Sequence, residues 1–288
     1  MAILKDQAIV LNLHEQGNTS LVAVMLGRKL GQFRTHIKGA RRWPKKGFEG
    51  GFDLLVRGEI LVYPRKGETL WVFKEWDERA RPELGGSLAT LRAASFLCEL
   101  TEALTRPTAG SVGEDTDATD TARAALFDLL AATSDALAAE GEPGPLLLTF
   151  TLRALSIEGL MPDLELCSAC RRNLSKSGAA QKKIWMTGHG LRCADCMAKR
   201  AEQVIALGTV DRLERGVWLS PEGYRALVHF TRSTKALKVS AEAAKQLAVA
   251  LTALVHSALE YDLRTLQNAA RMVYAMGQAG QKIKERGA

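Results

Sequence analysis

The chain has 288 residues, 47% hydrophobic and 25% charged, which is the composition of a folded globular protein and excludes disorder over most of its length. Its longest uncharged run, Gln246 to Leu259, has 14 residues, short of the roughly 20 a membrane-crossing helix needs, and Lys5 with Asp6 interrupts the first apolar residues, so neither membrane insertion nor a secretory signal is expected and the expected location is cytoplasmic. The net charge of +7 hides a segregation: residues 1–82 carry 15 Lys and Arg against 9 Asp and Glu, 83–163 carry 4 against 13, and 164–288 carry 20 against 10, so two basic regions able to meet a polyanion flank an acidic one.

The first eighty residues read as short strands. Gln7 to His14, Ser20 to Leu26, Gly31 to Lys38, Phe52 to Tyr63 and Leu70 to Trp76 are rich in aliphatic and aromatic residues, and Gly17-Asn18, Gly27, Gly39, Gly50-Gly51 and Gly67 separate them. Five or six strands at this spacing fit a small closed or nearly closed barrel better than a sandwich, which needs about a hundred residues, and a five-stranded OB-type barrel is the best size match.

Within this region Arg28 to Lys46 holds eight cations and no acid. Arg34, Lys38, Arg41, Arg42, Lys45 and Lys46 are therefore candidate phosphate contacts, since cations displace the counterions of a nucleic acid. Trp43 is a candidate face for an unpaired base, against the alternative that it packs on the barrel. Arg57, Arg65 and Lys66 are expected to extend the same face.

After Pro82 the apolar period becomes helical. Leu88, Leu91, Cys98 and Leu104 mark one helix, with Cys98 expected in its core, and Leu126 to Leu137 marks a second. The acidic stretch Pro107 to Asp120 between them is expected to be an exposed connection. Leu146 to Leu160 is a third helix, stopped by Gly159 and Pro162; Ser220-Pro221-Glu222 starts another; and an apolar stripe predicts one helix from about Ser240 to Asn268.

Four of the five cysteines form two pairs, Cys167-x-x-Cys170 and Cys193-x-x-Cys196. Two thiolates at this spacing fit one tight turn and bind one ion, and a second such turn completes a tetrahedron. One structural zinc per chain is the expected occupant, in a small lobe whose polar stretch Asn173 to Leu191 predicts no core of its own; iron takes the same ligand type, and two disulfides or a redox dithiol are the alternatives. His189, four residues before Cys193, could replace one thiolate. No phosphate-binding glycine loop and no nucleophile–base constellation occurs, so the protein is expected not to be an enzyme. The acids at 114–120 are the only basis for the rival of a magnesium-dependent nuclease.

This order of elements resembles the RecO family of bacterial recombination mediators. The resemblance is carried by Ala8-Ile-Val-Leu11, Ile37-Lys-Gly-Ala-Arg-Arg42, Leu152-Arg-Ala-Leu-Ser-Ile-Glu-Gly-Leu160 with Pro162, and Cys167-x-x-Cys170 followed by Gly190-Leu-Arg-Cys193-x-x-Cys196. It implies an α+β protein: an OB-fold β-barrel domain at 1–82, then an α-helical domain at 83–288 with an embedded four-cysteine zinc-binding lobe at about 163–200. It also implies binding of single- and double-stranded DNA, annealing of complementary strands, contact with RecR and with the C-terminal tail of single-strand-binding protein, indirect service to RecA, and a cytoplasmic, nucleoid-associated location. Lys38, Arg41 and Arg42 are the DNA contacts carried over, and the four cysteines the metal ligands. The continuation Trp43-Pro44-Lys45-Lys46 departs from the family pattern. An RNA-binding zinc-ribbon and OB protein of translation or transcription is the alternative reading of the same cations and barrel.

Overall fold

A computed structural model describes residues 3–40, 51–64, 70–106, 117–139, 141–176, 183–207, 216–233, 237–259 and 261–285. The chain packs as two units, Met1–Gly141 and Glu142–Ala288.

In the first unit five strands, β1 (Leu4–Gln16), β2 (Ser20–Gly27), β3 (Gly31–Ile37), β4 (Arg57–Tyr63) and β5 (Leu70–Ala80), close into a barrel of order β1-β2-β3-β5-β4. The β1–β2–β3 meander and the parallel β3–β5 pair, with β4 returning beside β1, give the OB topology expected from the sequence. A register shift between Val10 and Asn12 bends β1 so that it can pair on both edges. Ala8, Val10, Ala23, Met25, Phe33, Ile37, Ile60, Val62 and Trp76 fill the interior.

Asp6 fixes one end of the barrel. It is 6% exposed, and its carboxylate accepts from the backbone N–H groups of Gln7, Lys29 and Leu30 at 2.8, 2.9 and 2.9 Å, tying β1 to the turn between β2 and β3. Gly27 is required there, because a Cβ would stand 2.6 Å from Asp6 Oδ2.

Two helices complete this unit. In α1 (Leu88–Leu104) the Ser87 hydroxyl caps by accepting from the Thr90 N–H at 3.0 Å, and Ala93, Ala94, Phe96, Leu97, Cys98 and Leu100 are buried, Cys98 as expected. The second, α2 (Asp117–Ala138), begins earlier than its apolar pattern predicts. Residues 117–120 of the expected connection are thus helical, and residues 107–116 of it lie outside the described residues.

The second unit is built on α3 (Pro143–Ile157), which buries Leu147, Leu148, Phe150, Leu152, Ala154 and Leu155 around its whole circumference and so reads as a central helix. Gly159, at φ +70°, ends it. Next come β6 (Ile184–Thr187), β7 (Gly190–Cys193), α4 (Ala194–Leu207), β8 (Gly216–Leu219) and α5 (Pro221–Arg232), whose Ser220 cap accepts from Gly223. The single helix expected from Ser240 to Asn268 is two, α6 (Ala241–Ala258) and α7 (Leu266–Glu285). Leu259 is extended (φ −120°, ψ 140°), which breaks the helix, and Leu263 in the connection is buried. Gly144 lets α3 touch α7, since a Cβ would lie 2.5 Å from the Met272 carbonyl oxygen.

β6, β7 and β8 form a three-stranded antiparallel sheet of order β7-β6-β8 that the sequence did not predict. Ile184, Met186, Leu191 and Leu219 in it are fully buried, so the cysteine lobe has a core, contrary to the expectation drawn from its polar composition. Among the described residues no helix is long and apolar enough to cross a membrane.

Candidate functional site

The outward face of β3 is set by strand alternation. Phe33, Thr35 and Ile37 are buried, which turns Arg34, His36 and, just beyond the strand, Lys38 outward, and both cations are exposed. Phe33 is held by a stacked contact with Trp71, ring centroids 4.9 Å apart, so the strand that presents Arg34 is anchored from inside. Arg41, Arg42, Trp43, Lys45 and Lys46 lie outside the described residues, as do Arg65 and Lys66.

Two other cations of the basic region are committed to α2. Arg28 pairs with Asp128 through Nε at 3.1 Å and Nη2 at 2.7 Å, and Arg57 pairs with Asp135 at 3.0 and 2.5 Å. Asp128 raises the pKa of Arg28 by hydrogen bonding and charge. Arg57 thus faces a carboxylate, which corrects its expected place on the phosphate-binding face. Asp128 and Asp135 are seven residues apart, two helical turns, and so share one face of α2. The acidic middle of the chain neutralises part of the barrel's own charge.

The four paired cysteines meet. The sulfur atoms of Cys167, Cys170, Cys193 and Cys196 all lie within 4.8 Å of one another, with Cys170 and Cys193 3.9 Å apart. Thiolates about 2.3 Å from a central ion define a tetrahedron with edges of about 3.8 Å, so the donor set fits one metal ion bound by four sulfurs, and none of the cysteines is in a disulfide. The first pair sits on a turn closed by Arg171 N–H donating to the Cys167 carbonyl at 2.9 Å; Arg171 itself is left-handed at φ 59°. Ser168 N–H donates to the Leu191 carbonyl at 2.8 Å, stitching that turn to β7. The second pair straddles the end of β7 and the first turn of α4, and an Arg172–Asp195 ion pair at 2.9 Å bridges the two turns.

The thiols are not equivalent. Burial opposes ionisation of Cys167, yet the backbone N–H groups of Cys170, Cys193 and Ala169 aimed at its sulfur outweigh this and hold its pKa down at about 6. Burial and the neighbouring sulfurs push Cys196 up to about 12, and burial also raises Cys193. Such a cluster favours ionisation of Cys167 and opposes that of Cys193 and Cys196, so a cation is needed to favour all of them as thiolates. His189 does not join it. Its Nδ1 shares a hydrogen bond with Ser257 Oγ on α6 at 3.1 Å, so the four cysteines are the ligand set.

The geometry can be set beside known proteins. The family model for Recombination protein O N terminal matches residues 1–78, and that for Recombination protein O C terminal matches residues 86–267. The chain is 29% identical over 202 residues to the DNA repair protein RecO of Rhodopirellula baltica, covering 69% of both chains. It is 27% identical over 203 residues to that of Moorella thermoacetica, covering 70% of both. To that of Bifidobacterium adolescentis it is 26% identical over 240 residues, 81% of this chain and 91% of the relative.

Proposed function

The chain belongs to the RecO family, and from that premise we propose that it acts in recombinational DNA repair as a non-enzymatic mediator. It binds single- and double-stranded DNA, anneals complementary strands and helps load RecA on single strands coated by single-strand-binding protein, whose C-terminal tail and RecR are its protein partners. It works in the cytoplasm, at the nucleoid. The observation that carries the reading is the match of both halves of the chain to the family, together with a closed barrel whose β3 turns Arg34 and Lys38 to solvent.

The chemistry required is electrostatic. Two single strands repel through their phosphates, and cations on one surface lower that repulsion while raising the local concentration of strands, so bases can pair without any covalent step. Arg34 and Lys38 supply part of that field, and Arg41, Arg42, Lys45 and Lys46 continue it, with Trp43 as a stacking face. The barrel of residues 1–82 is the DNA-binding domain, and residues 83–288, with the metal lobe at about 163–200, form the domain for partners. Zinc held by Cys167, Cys170, Cys193 and Cys196 would cross-link the two turns and leave no position open for catalysis.

The test is annealing of two labelled complementary oligonucleotides, bare or coated with single-strand-binding protein. Acceleration over the spontaneous rate on both substrates is expected. A rate equal to the spontaneous one, or a clear preference for RNA in direct competition, would overturn the reading.

A further inference from the structure

The sheet of the second unit carries a row of side chains that the metal site does not use. In its register Arg192 of β7, Trp185 of β6 and Trp218 of β8 stand directly opposite one another, so all three project from one face. Their strand neighbours Ile184, Met186, Leu191 and Leu219 project from the other and are fully buried. The two indoles meet edge to face, with centroids 5.3 Å apart and planes at 64°. Trp185 lies over Gly216, where a Cβ would stand 2.7 Å from its ring and 2.5 Å from the Met186 carbonyl oxygen, so no larger residue fits there. Trp218 is 38% exposed.

Packing accounts for Trp185, which is half-buried between Gly216 and its neighbour. It does not account for presenting the other ring to water. The segment is basic: residues 183–200 contain Lys183, Arg192, Lys199 and Arg200 and a single acid, Asp195, which pairs with Arg172. An exposed aromatic face among cations matches the two parts of an unpaired strand, whose bases stack and whose phosphates carry charge. A duplex offers only the second part, because its bases are already stacked.

We propose that this face of the β7-β6-β8 sheet is a second contact for single-stranded DNA, with a base stacked on Trp218 and phosphates met by Lys183 and Arg192. The proposal rests on the DNA-binding reading above and adds a site in the second unit that the barrel cations do not provide. It also assigns a division of labour, in which cations attract any nucleic acid and Trp218 selects unpaired bases.

The experiment measures binding of a labelled oligothymidylate and of a duplex of equal length by the full-length protein across salt concentrations. Trp218→Leu keeps an apolar side chain on the sheet but removes the π face; it is expected to weaken oligothymidylate binding about tenfold, with duplex binding and thermal unfolding unchanged. Trp218→Phe should recover most of the loss. Lys183→Gln should reduce the salt slope on both ligands by about one. Equal oligothymidylate affinity for Trp218→Leu and the parent would overturn this site alone, whereas a parent that binds neither ligand would overturn the DNA-binding reading itself. A Trp218→Leu protein that loses both ligands equally, or that unfolds at lower temperature while Trp218→Phe does not bind better, would assign the ring to packing and likewise overturn the proposal.

Discussion

The backbone N–H of Cys193 donates to the sulfur of Cys167 at 3.4 Å, so the main chain of one turn adds to the N–H of Cys170 in making the thiol of the other acidic. With Cys167 held at about 6, Cys193 raised and Cys196 pushed up to about 12, the metal-free cluster at pH 7 sets a Cys167 thiolate beside Cys193 and Cys196 thiols that keep their protons. A zinc ion bound by four thiolates would then release protons, those of Cys193 and Cys196 among them. Affinity falls as pH falls, more steeply below about 6, where Cys167 is protonated too. Titrating stripped protein with zinc in weakly buffered indicator should acidify the solution, and affinity independent of pH would contradict the assigned ligands.

Cys193→Ser removes a ligand at the junction of β7 and α4. Metal analysis is expected to fall from about one zinc per chain to near zero, with partial unfolding of the second unit seen as lost thermal stability. A parent protein that is both metal-free and fully folded would refute the site.

Asp6→Ala leaves the Lys29 and Leu30 N–H groups without their acceptor in a part-buried place, at a cost of about 2 kcal/mol. Chemical denaturation should show this loss. Because the freed turn leads into β3, DNA affinity should fall as well, although Asp6 makes no contact with solvent to speak of.

Removing the carboxylates that α2 places on the barrel should strengthen DNA binding. Asp128→Asn with Asp135→Asn releases Arg28 and Arg57 toward solvent phosphate, and a steeper salt dependence with severalfold tighter binding is expected. Loss of the exposed Arg28–Asp128 pair should leave stability nearly unchanged, and any loss should come from Arg57, whose side chain is largely buried beside Asp135. Unchanged binding would place the relevant phosphate path away from Arg28 and Arg57.

Arg34→Glu with Lys38→Glu reverses the outward side of β3 without touching its buried side. Affinity for both DNA forms should drop, and the slope of log affinity against log salt should fall by about two. A slope equal to the parent's would remove β3 from the interface.

The barrel was legible in the sequence because its strands are long enough to alternate. Phe33, Thr35 and Ile37 against Arg34, His36 and Lys38 is a pattern three pairs deep, and the turn glycines frame it. The cysteine cluster was legible because spacing alone limits what two thiols can bind. The β7-β6-β8 sheet was not. Each of its strands has four residues, so an inward pair such as Ile184 and Met186 is too short a signal, and β8 reaches β6 only after all of α4 has intervened. Nor was the corner between α6 and α7, where no glycine or proline interrupts the apolar stripe and His256 Nδ1 lies 2.8 Å from Asp262 beyond the break. The partners of Arg28 and Arg57 were equally hidden, since their carboxylates come 100 and 78 residues later in the chain.

The pairing of β6 with β8 bears on how the cysteine region can be handled. A fragment excised at Arg200 would carry all four sulfurs yet leave the middle strand with a raw edge and Trp185 without its companion. Grafting this region into another scaffold therefore calls for a segment running at least to Leu219. Its ligands all precede the second turn of α4, but the platform beneath them is assembled from both sides of that helix.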